Sequence, residues 1–157
     1  MGVEPTPWVD DVALYCGELR PTGPIAFRHH IGRVPRDLMM GGSPFLLLIS
    51  DRFRGVLEVN GFSGWRPYSV DVRTKRGDPI PGYSGLSITG RSRPLKGGVP
   101  GLMLALVRHG PASLAERSWD GSDLFLSGRG GPVVITGEVR NALRAAKVSN
   151  VSYDRID

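Results

Sequence analysis

Three histidines, one cysteine and seventeen arginines are the side chains of this sequence with the widest chemical reach. His29, His30 and His109 could join carboxylates around a metal ion, since imidazole nitrogen and carboxylate oxygen are common ligands. Their spacing opposes it: adjacent His29 and His30 point to opposite sides of extended chain, so that segment offers one ligand at a time. Cys16 could act as a nucleophile beside a histidine, but the Leu14-Tyr15-Cys16-Gly17 context is apolar, where cysteine behaves as a small buried hydrophobe. A lone cysteine makes neither an internal disulfide nor a cysteine-based zinc site, which fits a reducing compartment. Ser43 and Ser84 each begin a Gly-x-Ser-x-Gly pattern, yet Phe45 and Leu86 stand where the closing glycine of a hydrolase elbow belongs. Gly128, Gly130 and Gly131 surround Arg129 ahead of a strand, whereas phosphate-cradling glycine loops follow a strand and open a helix, so they read as a turn. These residues point to no catalytic, metal-binding or cofactor-binding set, and hence to a protein that is not an enzyme.

The arginines point to binding. Seventeen of the twenty basic residues are Arg, whose planar guanidinium pairs bidentately with carboxylate or phosphate. The formal net charge of +5 is uneven: residues 1–19 hold four acids and no base, residues 20–108 hold fourteen bases against five acids, and residues 109–157 hold six of each. Most bases are scattered, but Arg73, Lys75 and Arg76 cluster in a Pro/Gly-rich loop at 73–82, and Arg91 and Arg93 open a second loop at 91–98. Loops are where recognition surfaces sit, so Arg73, Lys75, Arg76, Arg91 and Arg93 are the candidate partner-binding residues. Single-stranded nucleic acid requires arginines interleaved with exposed aromatics. Only Trp65-Arg66-Pro67-Tyr68 has that look, and both aromatics also fit buried strand positions. A nucleic-acid-binding domain or small enzyme using the basic middle segment is therefore the weaker alternative.

The elements that position these residues follow from pattern. At 157 residues, 40% of them apolar, the chain fits one domain, 1–157, with enough side chains for a core. Twenty-two glycines and 13 prolines imply short elements joined by many turns. No run approaches the roughly 18 apolar residues that span a bilayer, and the acidic start at 1–11 is the reverse of a secretory signal, so a cytoplasmic protein without a membrane partner is expected.

An internal repeat organises the rest. Residues 48–57, LISDRFRGVL, match residues 134–143, VITGEVRNAL, at a constant offset of 86. Each copy runs from an apolar strand into a hydroxyl residue, Ser50 or Thr136, suited to cap a helix. Phe53, Val56 and Leu57, and then Val139, Ala142 and Leu143, recur at helical spacing and leave Arg54 and Arg140 outward. Asn60-Gly61 and Lys147 suit the two helix ends. A strand resumes after each, through Tyr68, Val70 and Val72 or toward Tyr153. The modules span about 45–72 and 133–156, with helices near 51–60 and 137–146 docked on a common sheet. Further strands are expected at 83–90, 101–107 and 123–126; residues 12–15 read as strand-like and 25–37 as irregular chain with an edge strand. The predicted fold is α+β, a mostly antiparallel sheet with two short helices from the duplicated strand-helix-strand module.

These blocks, Ile49-Ser50-Asp51-Arg52-Phe53 with Val56-Leu57, Asp123-Leu124-Phe125, and 133–151 through Val148-Ser149-Asn150-Val151, resemble the myxobacterial-type immunity proteins of bacterial polymorphic toxin systems. The strand at 83–91, YSGLSITGR, is similar to the Tyr-containing strand between that family's repeated modules. The resemblance covers about 75 residues in three blocks. It implies a cytoplasmic protein that binds and neutralises one cognate toxin without chemistry of its own. With a pI near 9.9, such a chain is expected to meet an acidic or mainly apolar toxin surface through its basic loops.

Overall fold

The computed structural model describes residues 2–6, 9–31, 34–93, 106–109 and 118–155. The chain opens with β1 (Gly2–Thr6), α1 (Asp11–Tyr15) and β2 (Ile25–Ile31). The hairpin β3 (Leu38–Met40) and β4 (Leu47–Ser50) then leads into α2 (Asp51–Val59). Four strands follow, β5 (Trp65–Tyr68), β6 (Val70–Arg73), β7 (Tyr83–Ile88) and β8 (Gly90–Ser92). Beyond them come β9 (Leu106–His109), β10 (Leu124–Ser127), β11 (Val133–Ile135), α3 (Gly137–Ala145) and β12 (Ser152–Arg155).

The fold is α+β, and its strands form two sheets. A seven-stranded sheet has the order β5-β7-β4-β3-β1-β2-β6 and is mostly antiparallel. A five-stranded sheet has the order β12-β9-β11-β10-β8, in which the β10–β11 hairpin is antiparallel and the other neighbours are parallel. The repeated modules therefore dock on different sheets, which corrects the expectation of a common one. In each module a strand from elsewhere in the chain lies between the strands before and after the helix, β7 between β4 and β5 and β9 between β11 and β12, so each module completes its pairing within its own sheet.

The equivalence of residues 86 apart reaches further back than 45 and 133. Leu38 faces Ile49 and Met40 faces Leu47 in the first hairpin; Leu124 faces Ile135 and Leu126 faces Val133 in the second. The turns match too, with Gly41 N donating to Leu46 O at 2.7 Å and Ser127 N to Pro132 O at 3.2 Å. Left-handed backbone recurs at Gly42 and Gly128, Gly61 and Lys147, and Gly64 and Asn150. Each pair shares the 86-residue offset, so the two modules have the same backbone path even at the two pairs where a glycine in one copy is Lys147 or Asn150 in the other.

The helices lie where their patterns place them. Ser50 Oγ accepts from Phe53 N at 3.2 Å and caps α2. Phe53 and Leu57 face inward, as do Val139 and Leu143 on α3. Both helices contribute to one core with Leu38, Leu47, Ile49, Leu86, Ile88, Leu124, Leu126, Val133 and Ile135. The cap expected from Thr136 is absent; its hydroxyl lies 3.5 Å from Asp123 Oδ1, and no side chain caps α3. Strand β4 is buried on both faces: Leu47 and Ile49 enter this core, while Leu48, with Leu46 just before the strand, joins Leu14, Phe27, Met39, Tyr68 and Val72 in a second one.

Local readings differ in four places. Residues 12–15 belong to a helix, which Asp10 caps by accepting from Ala13 N at 2.9 Å and which buries Leu14 and Tyr15. The segment at 25–31 is a strand between β1 and β6, not an edge. The period-two run through Tyr68 and Val72 divides at Ser69 into β5 and β6, which lie at opposite edges of the seven-stranded order. Consecutive strands at both edges mean that the sheet curls until its ends meet along one chain segment. Arg91, expected in a loop, lies in β8. Most of the apolar run at 101–107 and the loop beyond residue 93 lie outside the described residues.

Candidate partner-binding surface

Asp37 and Asp123 begin the two hairpins, and each reaches across to the other module. Asp37 Oδ2 accepts from Ser149 N and Ser149 Oγ, both at 2.7 Å, and Asp37 N donates to Ser149 Oγ at 3.1 Å. Asp123 Oδ2 accepts from Ser63 N at 2.8 Å and Ser63 Oγ at 2.9 Å, and Asp123 N donates to Ser63 Oγ at 3.2 Å. Ser63 and Ser149 are again 86 residues apart, so the module pair is held by two reciprocal Asp–Ser clasps. Asp37 is the more buried of the two and also accepts from Ser50 Oγ at 2.6 Å, Arg52 Nε at 3.1 Å and the Arg52 terminal amine. Burial alone raises its pKa, but these donors, Arg52 foremost, outweigh burial and hold the carboxyl well below the usual range. Asp37, Ser50, Arg52, Ser63, Asp123 and Ser149 are thus committed to assembly.

The five basic candidates separate. Arg73, at the end of β6, donates to Asp71 Oδ2 at 2.9 Å and Gly77 O at 3.1 Å. Lys75 and Arg76 project from a turn ordered by Thr74, whose Oγ1 accepts from Arg76 N at 3.2 Å and Asp78 N at 3.1 Å. All three bases are exposed, but Asp71 and Asp78 beside them reduce the local positive charge. Arg91 is half-buried and spent internally: it donates to Ile88 O at 2.7 Å, Gly90 O at 2.9 Å and the Cys16 carbonyl. Arg93 is exposed on the edge of the other sheet. The surface candidates are therefore the turn of Arg73, Lys75 and Arg76, with Arg93 apart.

A second arginine group was not legible as a cluster. Arg20, Arg54 and Arg66 line an open cleft of about 410 Å³ with Tyr68, Ser69 and Ser84, walled by Pro21 and Pro67. Arg66 and Tyr68 alternate onto one face of β5, opposite β7, which carries Ser84. Arg54 reaches Ser84 from α2: its Nη1 donates to Ser84 Oγ at 3.3 Å and its Nε to Glu58 Oε1 at 2.7 Å. Arg66 is anchored by donating to Gly17 O at 2.8 Å. Its pKa is lowered by burial and by the charge of Arg20 nearby. The one sequence signal for this site was Trp65-Arg66-Pro67-Tyr68, but its aromatics are not stacking platforms. Trp65 donates its indole N–H to Phe62 O at 2.8 Å, and the buried Tyr68 ring lies over Gly85, where a Cβ would collide with it.

Cys16 is buried in the core that both helices share. His29 lies in β2, paired opposite Val3. Among the described residues no group of three His, Cys, Asp or Glu side chains is placed to hold a metal ion, and no helix is long and apolar enough to cross a membrane. No protein-family model and no curated protein matches this chain.

Proposed function

We propose that this chain is a cytoplasmic protein that binds a cognate bacterial toxin and neutralises it by protein contact, with no chemistry of its own. The observation that carries the reading is the use made of the resemblance's own residues. Asp123 and Ser149 hold the modules together, and Ser50 and Arg52 fix the Asp37 carboxylate that Ser149 meets, which suits a family whose repeated blocks are scaffold. Among the exposed side chains, the ordered turn at 73–78 presents Arg73, Lys75 and Arg76 together. Such a turn suits an acidic patch, or an apolar one rimmed by carboxylates.

The test is to purify this chain with the toxin encoded beside it and measure complex formation and toxin activity together. A stoichiometric complex that abolishes toxin activity is the expected result. Undiminished toxin activity at saturating concentrations of the folded chain would overturn the proposal.

A further inference from the structure

We propose that the cleft between α2 and β5 is a binding site for a phosphate monoester, with Arg20 and Arg54 as the residues that grip the phosphoryl group. Arg20, Arg54 and Arg66 come from the chain after α1, from a helix and from a strand, and the fold brings all three to one cleft. Like charges gather at a cost that an anion relieves. Among the described residues Arg20 has no ion pair, and its charge acts on Arg66, which is partly withdrawn from solvent. Neither Arg66 nor Arg20 has a carboxylate beside it in the cleft; Glu58 engages Arg54 alone.

The surroundings favour phosphate over carboxylate. Three guanidiniums and the single Glu58 carboxylate leave an excess of two positive charges to match a dianion, with Arg20 and Arg54 free to turn their forks to it while Gly17 O holds Arg66. The hydroxyls of Ser69 and Ser84 stand at the same cleft to serve a third oxygen. A carboxylate offers two oxygens and one charge, and leaves part of this set unmet. The volume exceeds what inorganic phosphate fills and lies within the roughly 300–1,000 Å³ of small-molecule sites, so the organic part rests between Pro21 and Pro67. This site is separate from the turn at 73–78, and its ligand is independent of any toxin.

The experiment is calorimetric titration of the full chain at pH 7.5 and fixed ionic strength with inorganic phosphate, glycerol phosphate, malonate and chloride. Saturable one-to-one binding of both phosphate compounds is expected, with malonate weaker by about tenfold or more. Arg20→Gln and Arg54→Gln, both outside the core, are each expected to weaken phosphate binding by about tenfold or more, the loss of one charge-assisted contact pair. Arg76→Gln is the control for general surface charge, and Arg66 is left intact because it anchors Gly17. Thermal unfolding of each variant confirms that the fold persists. No saturable binding above chloride, equal weakening by Arg76→Gln, or a preference for malonate would each overturn the site. None of these outcomes bears on toxin binding, which is measured separately.

Discussion

Asp37 shows how one carboxylate can join two segments more than a hundred residues apart. Its donors are Ser50, Arg52 and Ser149, and it is 5% exposed, so little water competes for it. Because its folded pKa is depressed, its stabilisation is complete above the unfolded value of about 4 and drains away as pH falls below it. Acid unfolding followed by circular dichroism should therefore show an apparent stability that drops below about pH 4, and Asp37→Asn should flatten that limb while lowering stability at neutral pH. The two clasps should differ in weight. Ser149→Ala is expected to cost roughly 1–2 kcal/mol, and Ser63→Ala less, because the Ser63–Asp123 clasp is more exposed to solvent. Equal effects in denaturant titrations would remove burial as the cause. Gly64 is a third residue-scale test: its φ is +85°, and a Cβ there would strike the Leu124 carbonyl oxygen, so Gly64→Ala should lower the melting temperature sharply. Its counterpart Asn150 tolerates a left-handed φ of 63° and turns its Nδ2 to Leu38 O at 2.7 Å.

At the scale of elements, α2 and α3 are nine-residue helices, too short to persist in water alone. Their stability comes from the apolar face each turns toward the shared core, where Leu57, Val139 and Leu143 are fully buried and Phe53 is 2% exposed. Phe53→Asp or Leu143→Asp would place an unpaired charge among these side chains and should destabilise by about 3 kcal/mol or more. Wild-type melting in either variant would show that the helix does not depend on this face. The caps make a finer comparison. Ser50 caps α2 and also donates to Asp37, whereas Thr136 makes no cap, so Ser50→Ala should be the more damaging of the two. Hydroxyl residues at equivalent places invited the same reading for both. Each hydroxyl faces its equivalent aspartate, at 2.6 Å for Ser50 and 3.5 Å for Thr136, and only the Ser50 oxygen also accepts from its own helix.

At the scale of the whole molecule, charge reversal tests the proposed interface. If the turn at 73–78 steers a toxin, Arg73→Glu with Arg76→Glu should slow association by about tenfold at low salt and shrink its salt dependence. Stopped-flow rates at low and moderate salt measure this; an unchanged rate in a folded double variant would place the contact elsewhere. The basic cluster was legible because its members are close in sequence, yet Asp71 and Asp78 temper it and Arg91 is consumed by carbonyls of Cys16, Ile88 and Gly90. The cleft of Arg20, Arg54 and Arg66 was illegible for the opposite reason, since its arginines are near only in space. What the sequence determined by itself is local: the apolar periods that form α2 and α3, the turns at Asn60-Gly61 and at 127–131, and the 86-residue offset that marks equivalent modules. Tertiary structure alone decided that the modules sit on two sheets, that β7 and β9 are inserted beside the hairpins, and that each aspartate clasps the other module's serine. Helix periodicity and turn preference act over a few residues and are written in neighbouring letters. Strand partners and buried polar contacts are chosen by which distant surfaces bury each other best, a competition settled only when the whole chain has packed.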